Sequence, residues 1–171
     1  SKGWVPIFCY LNIPQQRNIS CRKVYRVRGT YRIGAADISR DLRRGRNPSK
    51  RLCKELVLNK LEVFHKTLQK DFNIPYPRLA VMGLNPHSGD NGLYGREDID
   101  VIVPAINEAR AKDILVFGPF SADGFFGSAS WLKFDGVLCM YHDQAMVPFK
   151  TLAVDGGVNF TAGLPVIRTA P

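Results

Sequence analysis

Apolar and polar positions along the 171-residue chain change character near Lys54. Downstream of it, Val57, Leu61, Phe64, Leu68 and Phe72 recur at i, i+4, i+7, i+11 and i+15, the spacing of one face of an α-helix. "NIPYP" (73–77) ends that pattern. In "RLAVMGLNP" (78–86) an apolar run of strand length closes on Gly, Asn and Pro, which predicts a buried strand at 79–84 followed by a turn. Helical spacing returns at Ile99, Ile102, Ile106 and Ala109, with acids in the first turn where the helix dipole favours them and Pro104 as a candidate kink. "ILVFGPF" (114–120) and "GVLCMYHD" (136–143) then read as two further strands. Helical segments alternating with buried strands predict an α/β layered fold on a largely parallel sheet. Residues 1–53 show no sustained period: "VYRV" (24–27) is strand-like, whereas "SRDLRRGRNPSKR" (39–51) reads as solvated turns.

Charge divides the chain at the same place. Residues 1–53 carry 13 of the 24 Lys and Arg but only two of the 15 acids, Asp37 and Asp41, so the net +9 resides in the first third. A basic arm can neutralise nucleic-acid phosphates. These cations, however, are scattered among Pro, Gly and Ser without helical spacing or a base-reading motif, which argues against nucleic acid as the partner. The four cysteines lie far apart without a C-x-x-C pair, which argues against a disulfide framework, and no apolar run reaches about 18 residues. A cytoplasmic protein with reduced thiols and no membrane span is the expectation.

Chemistry concentrates where the strands end. His87 follows the strand at 79–84 and His142 closes the strand at 137–141; in open α/β sheets ligands bind at the carboxyl ends of the strands, so the two imidazoles can converge on one site. "YHDQ" places Asp143 and Gln144 beside His142 as further candidate donors. Two ligands fall short of a catalytic zinc, which normally holds three protein groups and one open position. His65 lies off the apolar stripe of its helix and reads as a solvated side chain. Ser88, Gly89, Asn91, Gly92 and Gly95 form a small-residue stretch running into a helix start, where free N–H groups attract anions. Lys150, Asn159 and Arg168 sit in apolar or Gly-rich surroundings and could clamp a phosphate or carboxylate, although each also reads as an ordinary surface residue at a strand end. The dinucleotide fingerprint, the Walker motif, H-E-x-x-H and G-x-S-x-G are all missing.

Four segments in order, "GLNPHSGDNGLYGREDID", "GPFSADGFFGS", "MYHDQAMVPFK" and "GVNFTAGLPVIRT", closely resemble the 4-hydroxythreonine-4-phosphate dehydrogenase (PdxA) family, and the resemblance runs from about Lys54 to Pro171. It implies a three-layer α/β/α fold like that of the isocitrate and isopropylmalate dehydrogenases, incomplete here. It further implies a homodimer with a shared active site. The implied activity is NAD-dependent oxidation of 4-phosphooxy-L-threonine with decarboxylation, in pyridoxal phosphate biosynthesis. A divalent metal (zinc, magnesium or cobalt) would hold the hydroxyl being oxidised. By the same resemblance His87 and His142 are two of three metal ligands, Lys150, Asn159 and Arg168 contact substrate, and Asp123 is an active-site acid. His65 matches no family site. A dehydrogenase acting on another small phosphorylated hydroxy acid, such as a four-carbon acid sugar phosphate, is the alternative; a non-catalytic remnant using its basic arm on nucleic acid is a third.

The chain departs from the family in residues 1–53, a non-matching basic segment ahead of a partial dehydrogenase domain at 54–171. The family's third metal histidine lies in a Gly-His-apolar-Pro segment upstream of the Lys54 helix, and residues 1–53 contain no histidine. Neither Asp37 nor Asp41 is assigned in its place. One choice of codons for "ADISR" (36–40), read from the third base, gives Gly-His-Leu-Pro, so out-of-frame translation is one origin for this segment. A family Asp-His-Gly-Thr segment is also not met before Pro171. Such a chain is expected to turn over feebly.

Overall fold

A computed structural model describes residues 7–12, 31–37, 52–152, 157–162 and 168–170. Outside 52–152 only the backbone of these residues is described, apart from Phe160 and Ala162. Seven strands, β1 (Ile7–Asn12), β2 (Tyr31–Asp37), β3 (Leu79–Met82), β4 (Val116–Phe120), β5 (Gly136–Cys139), β6 (Gly157–Thr161) and β7 (Arg168–Ala170), form one sheet in the order β4-β3-β5-β2-β1-β6-β7. Every pairing is parallel except β6 with β7.

The first helix, α1 (Lys54–Lys70), forms where the apolar spacing predicts it: Val57, Leu61, Phe64 and Leu68 make its buried stripe. Glu55 in the first turn and Lys70 in the last both complement the helix dipole. Asn73, in the left-handed region at φ 57°, then turns the chain out of the helix. The second helical segment begins as a π-helical turn, Asp98–Ile102, that passes directly into α2 (Val103–Ala111). Pro104 therefore lies in the first turn of α2, where its missing N–H is tolerated, and the wider turn before it takes the place of the expected kink.

Alternation along the strands builds three layers. Leu79 and Val81 of β3, with Leu138 and Met140 at β5, pack with Phe64, Ile102 and Ile106 on the α1 and α2 face. Ala80, Met82, Val137 and Cys139 point the other way, against Phe125, Phe134 and Ala145. Phe125 belongs to α3 (Ala122–Gly127) and Ala145 to α4 (His142–Leu152), so these two helices cover the second face. The α/β/α architecture expected from the sequence is thereby present.

The first third contributes β1 and β2, in the interior of the sheet, although it showed no sustained period. Central strands of a parallel sheet carry apolar runs without alternation, and "IFCYLN" is such a run. "VYRV" lies outside the described residues.

Candidate functional site

All the strands from β4 to β6 in the sheet order run in one direction, so their carboxyl ends share one edge. Three neighbouring strands hand over there to the residues singled out by sequence. β4 leads to Asp123, β3 to His87 and β5 to His142. His87 thus follows the strand that lies between the other two.

The loop carrying His87 is ordered by an acid fourteen residues beyond its start. Asp98, 1 % exposed, accepts the Leu84 N–H at 2.8 Å, the Asn85 N–H at 3.1 Å and the Asn85 side-chain amide at 3.1 Å. Glu97 accepts the same Asn85 amide at 2.9 Å, and that bond holds the Glu97 carboxyl below its ordinary range. Around this anchor His87, Ser88, Gly89, Asp90, Asn91 and Gly92 all have positive φ, making a turn of left-handed helix. Gly89, at φ 85°, is buried, and a Cβ there would stand 2.9 Å from the Gly95 carbonyl. The stretch expected to be a flexible anion cradle is instead a pinned turn whose helix start is occupied by Glu97 and Asp98, which repel an anion.

Both histidines are exposed, and the His87 ring lies 6.2 Å from that of Tyr94. His142 opens α4, and its Nδ1 stands 2.9 Å from the Asp143 carboxylate. That contact leaves Nε2 as the nitrogen open to a ligand, the pattern of metal-bound imidazoles whose other nitrogen is held by a carboxylate. Gln144 is no ligand, because both ends of its amide are engaged: Nε2 donates to the Gly83 carbonyl and Oε1 accepts from the Met140 N–H, each at 2.8 Å. Among the described residues no group of three His, Cys, Asp or Glu stands together to hold a metal ion.

Asp123 is exposed on α3 and its carboxyl is held below the ordinary range, first by the Ser121 hydroxyl, then by the Gly124 N–H, with the nearby charge of His87 adding to both. Lys150 is exposed on α4, about 12 Å along the helix axis from His142 at 1.5 Å per residue. Asn159 lies on β6 between Tyr10 of β1 and Ala170 of β7, and Arg168 on β7 opposite Thr161; their side chains lie outside the described residues. Sequence reasoning missed Asp98 and the bonding role of Gln144. The signal for Asp98 was an acid inside the first turn of an otherwise amphipathic helix, read only as a dipole partner.

Comparison with known proteins identifies relatives of the chain. The family profile described as "Pyridoxal phosphate biosynthetic protein PdxA" matches residues 46–171. The 4-hydroxythreonine-4-phosphate dehydrogenase of Bacteroides thetaiotaomicron is 54% identical over 120 residues, 70% of this chain and 33% of that protein. That of Desulforapulum autotrophicum is 48% identical over 122 residues, 71% of this chain and 36% of its own length. The chain thus spans about a third of the curated relatives it matches. Among solved structures, the 4-hydroxythreonine-4-phosphate dehydrogenase of Klebsiella pneumoniae superposes with a TM-score of 0.64 at 41% identity, covering 71% of this chain and 36% of that one. A terephthalate 1,2-cis-dihydrodiol dehydrogenase from Burkholderia xenovorans superposes with a TM-score of 0.58 at 32% identity, covering 71% of this chain and 37% of its own. With its α/β/α layers, its strand-end histidines and a profile match over most of its length, the chain belongs to the PdxA family of pyridoxal phosphate biosynthetic proteins.

Proposed function

We propose that this chain is the part of an NAD-dependent 4-hydroxythreonine-4-phosphate dehydrogenase that supplies His87 and His142 to a divalent metal, in a cytoplasmic homodimer with a shared active site. One observation carries the reading: Asp123, His87 and His142 follow the carboxyl ends of three adjacent parallel strands. A zinc, magnesium or cobalt ion bound there would supply Lewis-acid polarisation of the substrate hydroxyl. The third protein ligand comes from outside the described residues. Asp123, ionised at neutral pH, accepts hydrogen bonds from the substrate's hydroxyl or ammonium group. Lys150, Asn159 and Arg168 neutralise and orient the phosphate and carboxylate.

The test is NAD reduction with 4-phosphooxy-L-threonine by protein carrying this segment, against its His87→Ala and His142→Ala variants. Each variant is expected to lose roughly 100-fold in kcat/KM, the equivalent of about 3 kcal/mol of transition-state stabilisation. Unchanged turnover in either variant would remove that histidine from the site. For the 171-residue chain by itself, with two assigned ligands, the expected rate is feeble; an ordinary enzymatic rate would show that it supplies a third.

The similarity to a dihydrodiol dehydrogenase supports a second reading, in which the same framework oxidises a different hydroxy compound, such as a four-carbon acid sugar phosphate. Side-by-side kcat/KM values for 4-phosphooxy-L-threonine and that acid separate the two.

A further inference from the structure

The β3–β5 ladder stops short of the site. Its pairs run Leu79 with Gly136, Ala80 with Val137 and Val81 with Leu138. Gly83 and Met140, the residues from which the His87 and His142 loops depart, lie past the last of them. There the Gln144 side chain takes over from the backbone. Its Nε2 donates to the Gly83 carbonyl across 61 residues of sequence, and its Oε1 accepts from the Met140 N–H, both at 2.8 Å. On the other side of β3, the Gly83 N–H donates to the Phe120 carbonyl at 2.8 Å. A single run of hydrogen bonds therefore crosses all three strand ends, from Phe120 through Gly83 and Gln144 to Met140.

We propose that Gln144 is a positioning residue that fixes the His87 loop relative to His142, so that the two imidazoles act on one cation. The chemistry requires an amide. At a buried position only a group that donates and accepts at once completes both bonds, and a carboxylate would set its charge against the Gly83 carbonyl lone pairs. The amide is 8 % exposed, so water does not readily replace it. This inference rests on the metal reading above, and its test separates the two.

The chain is titrated with Co²⁺ alone, following the ring-proton NMR signals of His87 and His142 and the cobalt absorption band. The proteins are the unaltered chain, Gln144→Met, which keeps volume and loses both bonds, and Gln144→Glu, which keeps the bond from Met140 and loses only the donation to Gly83. Gln69→Met removes another glutamine-to-carbonyl bond, from the exposed end of α1 to Pro75 beyond it, and serves as the control. In the unaltered chain both rings are expected to respond together to the first equivalent of Co²⁺. Both Gln144 variants should weaken cobalt binding about 10–100-fold and separate the two ring responses, at a temperature where circular dichroism shows them folded, while Gln69→Met changes neither. A purely structural glutamine would lower the melting temperature and leave the cobalt affinity and the joint response intact; that result would sink the positioning role and spare the metal reading. Where Gln144→Met does not fold, Gln144→Glu decides. Absence of a joint response in the unaltered chain would overturn the metal reading, and the positioning role with it.

Discussion

Asp98 shows how one buried side chain can set a site it does not touch. Its carboxylate receives three N–H groups from Leu84 and Asn85, and Asp98→Ala deprives the two part-buried backbone donors of that acceptor while the Asn85 amide keeps Glu97. Unsatisfied buried donors cost about 1–3 kcal/mol apiece, so the variant is expected to lose at least about 2 kcal/mol in urea unfolding, with faster hydrogen exchange at Leu84 and Asn85. His65 makes a second prediction at this scale, because it differs from the solvated side chain the helical wheel suggests. Its Nδ1 is buried without a hydrogen-bond partner among the described residues, and burial, with Lys66 nearby, pushes its pKa below the ordinary histidine value. The folded protein then binds a proton less readily than the unfolded chain. Stability from this residue is complete above the unfolded pKa and is lost as pH falls through the folded one. Replacing His65 with Gln is expected to shrink the drop in melting temperature between about pH 7.5 and about pH 5.5. Neither effect was legible beforehand: sequence places His65 off the stripe by angle alone, and it cannot show how close a neighbouring layer comes.

Helices and strands were the legible level for most of residues 54–139, and the reason is physical; α3 went unread, and His142 and Asp143, expected to close a strand, open α4 instead. A stripe such as Val57, Leu61, Phe64 and Leu68 needs only one face covered, so its period survives in the sequence. β1 and β2 carry no comparable mark, and the left-handed turn at 87–92 contains only two glycines among its six residues, so no composition rule announces it. Packing between elements is similarly hidden. Gly136 lies on β5 where α1 crosses it, and a Cβ there would stand 2.5 Å from the Phe64 ring and 3.0 Å from Leu79. Gly136→Ala is expected to destabilise by about 1–3 kcal/mol through overpacking, measured by urea unfolding. Pairing it with Phe64→Leu should recover part of the loss, a coupling that a double-mutant cycle reads directly.

At the scale of the whole molecule, the proposed dimer and the order of the strands both bear on the site. Leu93 and Tyr94, 73 % and 51 % exposed, follow His87 on the same loop, and a partner subunit would cover them in the shared active site. In a two-fold interface a substitution acts twice, so Leu93→Asp is expected to raise the dimer dissociation constant at least roughly 100-fold, read by analytical ultracentrifugation. A concentration-independent monomer in the unaltered protein would dispose of that arrangement. The sheet order has a further consequence during synthesis. Among the described residues β3 pairs only with β4 and β5, both of which follow it in the chain, while β5 alone joins that group to β2 and β1. A growing chain that has just released Gly83 from the ribosome has nothing for β3 to pair with. At about 5–20 residues per second, some 3–12 s separate the emergence of Gly83 from that of Gln144, 61 residues later. Until β4 emerges, the His87 loop belongs to an unpaired, apolar strand, the state that chaperones and proteases recognise.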